Sequence, residues 1–411
     1  MSLRVLLITE YFWPDEAGTG RYLGDLLLEL SRQEAPLEFE VLTSRRLYRS
    51  SAPRDLSLRE TVESIRVRRI GSLRRGQDRF ARRLLADLVF SLRAAWATMT
   101  TGADCLFVVT NPPLMPMFVA PLARWRGLPL VYLIHDLYPD VPVALGVWSR
   151  RSRFVRLLRR AQTRTLESAC TVVVLGRCMK AYLARWYGVA EADIEFIPHW
   201  PTLVADPSNG ETTSQSGDTF RVLYSGNLGR FQDFETLLDA AEHLGAESHV
   251  EFRILGQGAR QGDLRREIDR RKLTNVTLED FRDEGAFREE LRHAHLGVVT
   301  LEPQLEGIGV PSKTYNLLAA DLPLCAIMGP SSEVARIIDE YRCGIRVGHG
   351  ESDALAAAIL ELQRDEGRWQ EMSGAARRYV DENAALPVLA ARYRRVLEAC
   401  ADRPPTGSTW R

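Results

Sequence analysis

Arg4-Val-Leu-Leu-Ile-Thr9 runs through Glu10-Tyr-Phe-Trp-Pro-Asp-Glu-Ala-Gly-Thr-Gly-Arg21 into a helix-period segment, Tyr22 to Leu30. A short apolar run, a loop holding Pro14, Gly18 and Gly20, and an amphipathic stretch make a β-loop-α unit. The unit recurs. Apolar runs at Phe39–Thr43, Cys105–Thr110, Leu130–His135 and Thr171–Leu175 alternate with helical stretches near 79–100, 114–126, 151–168 and 177–187. A second series starts at Arg221-Val-Leu-Tyr-Ser225 and continues through Val250–Leu255, Val276–Leu278, Leu296–Thr300, Leu324–Ile327 and Gly344–Val347, again with helices between. Strands alternating with helices predict parallel sheets covered on both faces. The fold class is therefore α/β, with two doubly wound, Rossmann-like parallel-sheet domains facing a cleft.

The expected domains are residues 1–200 and 220–385, joined by a polar linker at 201–219. A helix at 386–401 is expected to pack back on the first domain, with a polar tail at 402–411. Length agrees with two domains, since 411 residues exceed the usual ~100–200 of one. The 54 basic and 54 acidic side chains cancel, but unevenly. Residues 1–200 carry 29 Lys and Arg against 20 Asp and Glu, a net +9; the remainder carries 25 against 34, a net −9. Three of the basic residues are lysines: Lys180, Lys272 and Lys313. Six scattered cysteines form no C-x-x-C pair, and no Cys/His cluster has metal-ligand spacing, so a reduced cytoplasmic setting without a structural metal is expected. No run of ~20 apolar residues reads as a membrane span.

In open α/β sheets ligands collect at loops that follow strands. Four such loops carry chemistry. The first offers Gly18 and Gly20 at a helix entrance, where backbone amides could meet an anion or simply form a tight turn. The second is His135-Asp-Leu-Tyr-Pro-Asp140, directly after an apolar strand, where His135 and Asp136 can hydrogen-bond a polar substrate or serve structure alone. The third, Ser225-Gly226-Asn227-Leu-Gly229-Arg230, suits a phosphate or a helix-capping turn.

The fourth is Glu306-Gly307-Ile-Gly309-Val310-Pro-Ser312-Lys313-Thr-Tyr-Asn316. Ser312 reads as an N-cap and Lys313 as a first-turn residue. A cation is disfavoured at the positive end of a helix, and an anionic ligand would reverse that penalty. Glu306 could accept bonds from sugar hydroxyls. Together the loops suit a ligand both phosphorylated and polyhydroxylated, and a nucleotide sugar fits.

These residues resemble the retaining glycosyltransferases of family 4, which have the two-domain GT-B fold. The resemblance covers nearly the whole chain. It rests on E-Y-F-W-P with G-T-G-R-Y near the N-terminus, H-D-L-Y-P-D at 135–140, V-V-V-L-G-R-C-M and I-P-H-W at 172–179 and 197–200, Y-S-G-N-L-G at 224–229 and E-G-I-G-V-P-S-K-T-Y-N at 306–316. It implies a sugar moved from a nucleotide-diphosphate donor to a glycan or polyprenyl-diphosphate-linked acceptor in cell-surface polysaccharide synthesis, without a metal or other cofactor and without a nucleic-acid partner. A GT-B-fold nucleotide-sugar epimerase and a non-catalytic nucleotide-sugar binder are the alternatives.

By the resemblance His135, Glu306 and Lys313 are catalytic: Glu306 contacts the donor sugar, Lys313 and Arg230 hold the diphosphate, and His135 lies near the transferred sugar. Gly18, Gly20, Gly226, Asn227, Gly307, Gly309, Val310, Ser312 and Asn316 join Arg230 on the donor side, with Asp136 and Asp140 on the acceptor side. The chain also departs from the family. Asn227 and Gln232 stand where many members have arginine and lysine, and Thr314 or Asn316 stands in place of a second glutamate. One further segment, Arg79 to Trp96, reads as an amphipathic helix with Phe80, Leu84, Leu88, Val89, Leu92 and Trp96 on one side. It either covers the sheet or lies on an anionic membrane, which would make the protein peripheral to the inner face of the plasma membrane.

Overall fold

A computed structural model describes residues 2–15, 18–33, 37–45, 56–71, 80–203, 219–245, 248–281 and 283–403, the side chains of 80–84 excepted. Most of the expected linker and tail lies outside the described residues. The chain forms two compact units, residues 1–198 with 386–411, and residues 199–385.

The first unit holds β1 (Arg4–Ile8), β2 (Glu38–Ser44), β3 (Arg59–Val62), β4 (Ile65–Ile70), β5 (Cys105–Val109), β6 (Leu130–Ile134), β7 (Thr171–Val174) and β8 (Ile194–Phe196). They make one sheet in the order β3-β4-β2-β1-β5-β6-β7-β8. Its helices are α1 (Thr19–Arg32), α2 (Phe80–Thr100), α3 (Met115–Trp125), α4 (Asp140–Ala144), α5 (Arg153–Ser168) and α6 (Arg177–Tyr187). Every residue of β5 and β6 is buried, which is why these strands read as unbroken apolar runs.

The sheet is parallel except for β3, which pairs antiparallel with β4 through a turn where Glu63 has φ 50°. That hairpin is absent from the apolar pattern because β4 is Ile-Arg-Val-Arg-Arg-Ile. Its outward arginines are matched across the sheet: Arg66 lies 3.7 Å from Glu38 and Arg68 lies 3.4 Å from Glu40, both on β2. The amphipathic stretch does form α2, but it turns Leu92 and Trp96 to solvent and buries Ala86, Phe90 and Ala94 instead.

The second unit holds β9 (Phe220–Ser225), β10 (Val250–Leu255), β11 (Val276–Glu279), β12 (Leu296–Thr300), β13 (Leu324–Ile327) and β14 (Gly344–Val347), all parallel, in the order β11-β10-β9-β12-β13-β14. Its helices are α7 (Glu235–Leu244), α8 (Gln261–Arg271), α9 (Glu284–His293), α10 (Lys313–Ala319), α11 (Glu333–Tyr341), α12 (Ser352–Arg364) and α13 (Glu366–Tyr379). The strand order reverses between β9 and β12, so the loops after these two strands open on the same switch point. Those are the loops carrying Gly226 and Lys313. A last helix, α14 (Leu386–Ala401), belongs to the first unit, where Arg394 donates to Leu30 O at 3.1 Å and to Gln33 at 2.8 Å.

Candidate active site

In the first unit the functional side chains gather at the ends of β1, β5 and β6. The His135 backbone N–H donates to Thr110 Oγ1 at 3.0 Å, and the ring Nδ1 lies 3.3 Å from the hydroxyl of Thr19, the first residue of α1. Burial pushes the imidazole down to about 4, so His135 is neutral near pH 7 and can hydrogen-bond a hydroxyl without adding charge. Gly18 has φ 56° and opens the helix. Gly20 is a packing glycine, since a Cβ there would meet the Asp15 Cβ at 2.8 Å. Asp136 is exposed beside His135.

Asp140 has a different place from the one its motif suggested. It is 2% exposed, ion-paired with Arg159 of α5 and bonded by the hydroxyls of Tyr182 at 2.9 Å and of Tyr187, both of α6. A carboxylate so enclosed holds helices together and presents no face to an acceptor. The acceptor-side reading of Asp140 is corrected accordingly, because sequence shows the carboxylate and not the three groups that converge on it.

In the second unit the β9 strand leads into Gly226-Asn227-Leu228-Gly229. Tyr224 OH donates to Asn227 O at 2.8 Å, and Gly229 N donates to Gln232 Oε1 at 3.0 Å. A second glycine loop, Gly256-Gln257-Gly258 after β10, lies directly against the first. Gly226 N donates to Leu255 O and Leu228 N to Gln257 O, both at 2.9 Å. A Cβ on Gly256 would stand 1.9 Å from Gly226 O, and one on Gly258 would stand 2.3 Å from Leu228 O. Only glycine fits either position. The G-x-G spacing after a strand was the available signal for this pair, and the sequence reading did not use it. Asn227 and Arg230 are both exposed on the loop.

Lys313 opens α10. Gly297 on β12 lets this helix approach closely, a Cβ there meeting the Leu317 side chain at 3.0 Å. The far end of α10 is held by Arg377, which donates to Ala319 O at 2.9 Å and pairs with Asp321 at 2.6 Å. The helix has seven residues, and Ser312 has helical backbone angles and makes no side-chain cap. The expected N-cap is therefore absent; Thr314 Oγ1 bonds Pro311 O at 2.7 Å instead.

What sets Lys313 apart is burial. Its Nζ is shielded from solvent, has no hydrogen-bond partner among the described residues, and lies 3.6 Å from the centroid of the Tyr224 ring. A Cβ on Gly226, whose φ is 145°, would come within 3.0 Å of that nitrogen. Desolvation lowers the ammonium to about 7. An ammonium has three N–H donors and here none is used.

Glu306 is also committed. Its Oε1 accepts from Gly329 N at 2.5 Å and its Oε2 from Ser331 Oγ at 2.6 Å, both in the loop after β13, and a Cβ on Gly329 would stand 2.3 Å from Oε1. Gly307, with φ 80°, turns the chain just after it, and Gly309 and Val310 follow as half-buried loop residues. Asn316 faces the chain rather than open space: its Oδ1 accepts from Thr202 N at 2.8 Å and Leu203 N at 3.2 Å. Behind the loop, Asp233 holds His349 at 2.8 Å and the Thr236 hydroxyl at 2.7 Å. Among the described residues no group of three His, Cys, Asp or Glu is placed to hold a metal ion.

The model of the glycosyl transferase 4-like domain matches residues 17–200, and that of the glycosyl transferases group 1 matches residues 219–365. The probable glycosyltransferase WbjE of Pseudomonas aeruginosa is 27% identical over 384 residues, covering 87% of this chain and 89% of that protein. Among solved structures, sucrose-phosphate synthase from Thermosynechococcus elongatus superposes with a TM-score of 0.72 at 18% identity, over 97% of this chain and 100% of that one. Anabaena Alr3699/HepE in complex with UDP and glucose gives a TM-score of 0.69 at 16% identity, over 97% and 100%. The structural likeness shows the GT-B fold. With both family models matched in order along two doubly wound units, the chain belongs to the family 4 glycosyltransferases.

Proposed function

We propose that this glycosyltransferase moves a sugar, with retention of configuration, from a nucleoside-diphosphate donor to a glycan or lipid-linked glycan in surface-polysaccharide synthesis. The observation that carries the donor assignment is the buried Lys313 ammonium, which faces the Tyr224 ring beside the Gly226 loop and has no hydrogen-bond acceptor among the described residues. A diphosphate oxygen would satisfy its donors, restore its charge and place negative charge at the switch point where nucleotides bind in such sheets. The complex of HepE with UDP and glucose supports the same donor class.

In this reading Lys313, exposed Arg230 and the glycine-loop amides stabilise the charge that builds on the departing nucleoside diphosphate. Glu306, fixed by the Gly329 amide and the Ser331 hydroxyl, keeps unused lone pairs for a sugar hydroxyl. Neutral His135, at the end of β6 in the first unit, can hydrogen-bond a substrate hydroxyl without adding charge, and a donor phosphate oxygen takes the acceptor proton on the front face. No metal or cofactor is assigned a role. The test is release of nucleotide from a panel of nucleotide sugars, with and without lipid-linked glycan. Acceptor-dependent release that falls at least about 100-fold in Lys313→Ala is expected, the size of a lost transition-state charge contact. Turnover of Lys313→Ala within a few fold of the parent refutes the leaving-group role.

A further inference from the structure

The segment between Asp140 and Glu191 is unlike the rest of the chain: residues 141–190 hold ten Arg and Lys and a single acid, Glu167. Most of these charges sit on α5 or just before it. Arg159 is turned inward to Asp140, where Tyr182 and Tyr187 of α6 also converge, and this buried knot locks α5 and α6 together. The others face out. Arg150, Arg151, Arg153, Arg156, Arg160 and Arg164 are exposed and form no ion pair among the described residues.

Between them stand large apolar side chains that the fold leaves in solvent. Phe154 is 53% exposed, Leu157 62% and Trp186 51%. Trp148 packs edge-on to Phe154 at 5.5 Å, and the Trp186 ring is covered by Arg150 at 5.6 Å and Arg185 at 5.1 Å. Exposed apolar groups of this size, on the outer face of α5 and the end of α6 and among guanidinium groups without ion pairs, are a poor match to water alone. They match a surface that offers anionic headgroups above hydrocarbon. A polyanion such as nucleic acid would use the arginines and leave Phe154 and Leu157 without a role.

We propose that the outer face of α5, with the neighbouring end of α6, is a docking surface for an anionic lipid bilayer. The arginines supply attraction to the headgroups and Phe154, Leu157 and Trp186 enter the interface. The knot at Asp140 links this surface to the turn that carries His135 and Asp136, five and four residues upstream. The surface is separate from the donor loops, and its test needs no nucleotide.

The full-length protein is sedimented with vesicles of phosphatidylcholine alone and of phosphatidylcholine with about 30% phosphatidylglycerol. Binding to the anionic vesicles only, lost as salt screens the headgroups, is expected. Arg153→Gln/Arg156→Gln/Arg160→Gln should weaken partitioning by about 100-fold, roughly fivefold per arginine, with unchanged melting because all three side chains lie in solvent. Phe154→Ser/Leu157→Ser should also release the protein, while leaving its retention on heparin intact. UDP affinity should be unaltered in both variants, so loss of UDP binding by the parent protein would bear on the donor assignment and not on this surface. Parent-like vesicle binding by the arginine variant, equal binding to neutral vesicles, or release by Leu92→Ser/Trp96→Ser of α2 in place of the α5 variants would each overturn the proposal.

Discussion

Lys313 provides a prediction whose magnitude follows from the structure. Its ammonium is lowered from 10.5 to about 7 by burial without a hydrogen-bond partner, so above neutral pH the empty site holds a neutral amine. A bound diphosphate would stabilise the charged form and return the proton. At pH 8 about nine-tenths of the free protein lacks that proton and the bound protein has it, so binding should take up close to one proton per nucleotide. The diphosphate's own last ionisation, near 6, is complete by then and adds little. The nucleotide dissociation constant should therefore rise by about tenfold per pH unit between pH 7.5 and 9, the 1.36 kcal/mol per unit of a one-proton linkage. Calorimetric titration with UDP in two buffers of different ionisation enthalpy measures the uptake directly. Lys313→Met should bind weakly and with no uptake. A parent protein that binds with no proton uptake at pH 8, or a methionine variant that takes up as many protons, refutes the reasoning.

The empty protein gives the converse. A base whose folded value is lowered makes folding less favourable wherever both states are charged, below about pH 7, and this cost fades as pH rises toward 10.5. Urea unfolding should thus show the advantage of Lys313→Met over the parent shrinking by roughly 2–3 kcal/mol between pH 7 and 9. Gly226→Ala forces a Cβ against the Lys313 nitrogen at a φ of 145°, so a loss of about 1–3 kcal/mol and at least tenfold weaker UDP binding are expected in melting and titration. Asp140→Ala takes the acceptor from half-buried Arg159 and from the half-buried Tyr182 and Tyr187 hydroxyls, for about 1–3 kcal/mol in urea unfolding. Asn316→Ala strips the acceptor from the Thr202 and Leu203 amides and should cost about 1–3 kcal/mol by the same measurement.

How far the sequence could be read depended on whether a feature is local. β5 and β6 are legible because a strand buried on both faces must be apolar throughout, and no partner has to be known to see it. β4 was hidden, since its arginines are balanced by Glu38 and Glu40 of β2, more than 25 residues earlier in the chain. The same limit governs the site. His135 at a strand end and the glycines of the β9 loop follow from local pattern. The setting of Asp140 requires Arg159, Tyr182 and Tyr187 to be brought in by two later helices. Lys313 was singled out by its place at the start of a helix, yet α10 is too short and uncapped for that argument. The distinguishing fact is the Tyr224 ring above its nitrogen and the missing Cβ of Gly226 beside it, neither of which sequence spacing reveals.

That environment also bears on why this position is a lysine in a chain where 54 basic residues include only three. The other two have ordinary backbone tasks: Lys180 donates to Ile194 O at 2.9 Å, and Lys272 closes α8 with φ 55°. An arginine is always charged, so in an empty site it would be a buried cation without acceptors, whereas lysine can release its proton and wait as an amine. The guanidinium is also larger than the ammonium, which already lies 3.6 Å from the Tyr224 ring centroid and 3.0 Å from where a Cβ on Gly226 would stand. Lys313→Arg, though it preserves charge, should therefore behave as a disruptive change. Melting should show a loss of several kcal/mol, about 3–5 as for other unpaired buried charges. UDP affinity should fall toward that of Lys313→Met, and the proton uptake at pH 8 should vanish because arginine does not titrate. If Lys313→Arg instead kept the parent's stability and nucleotide affinity, the site would be open to any cation, and the argument that burial selects lysine would fail.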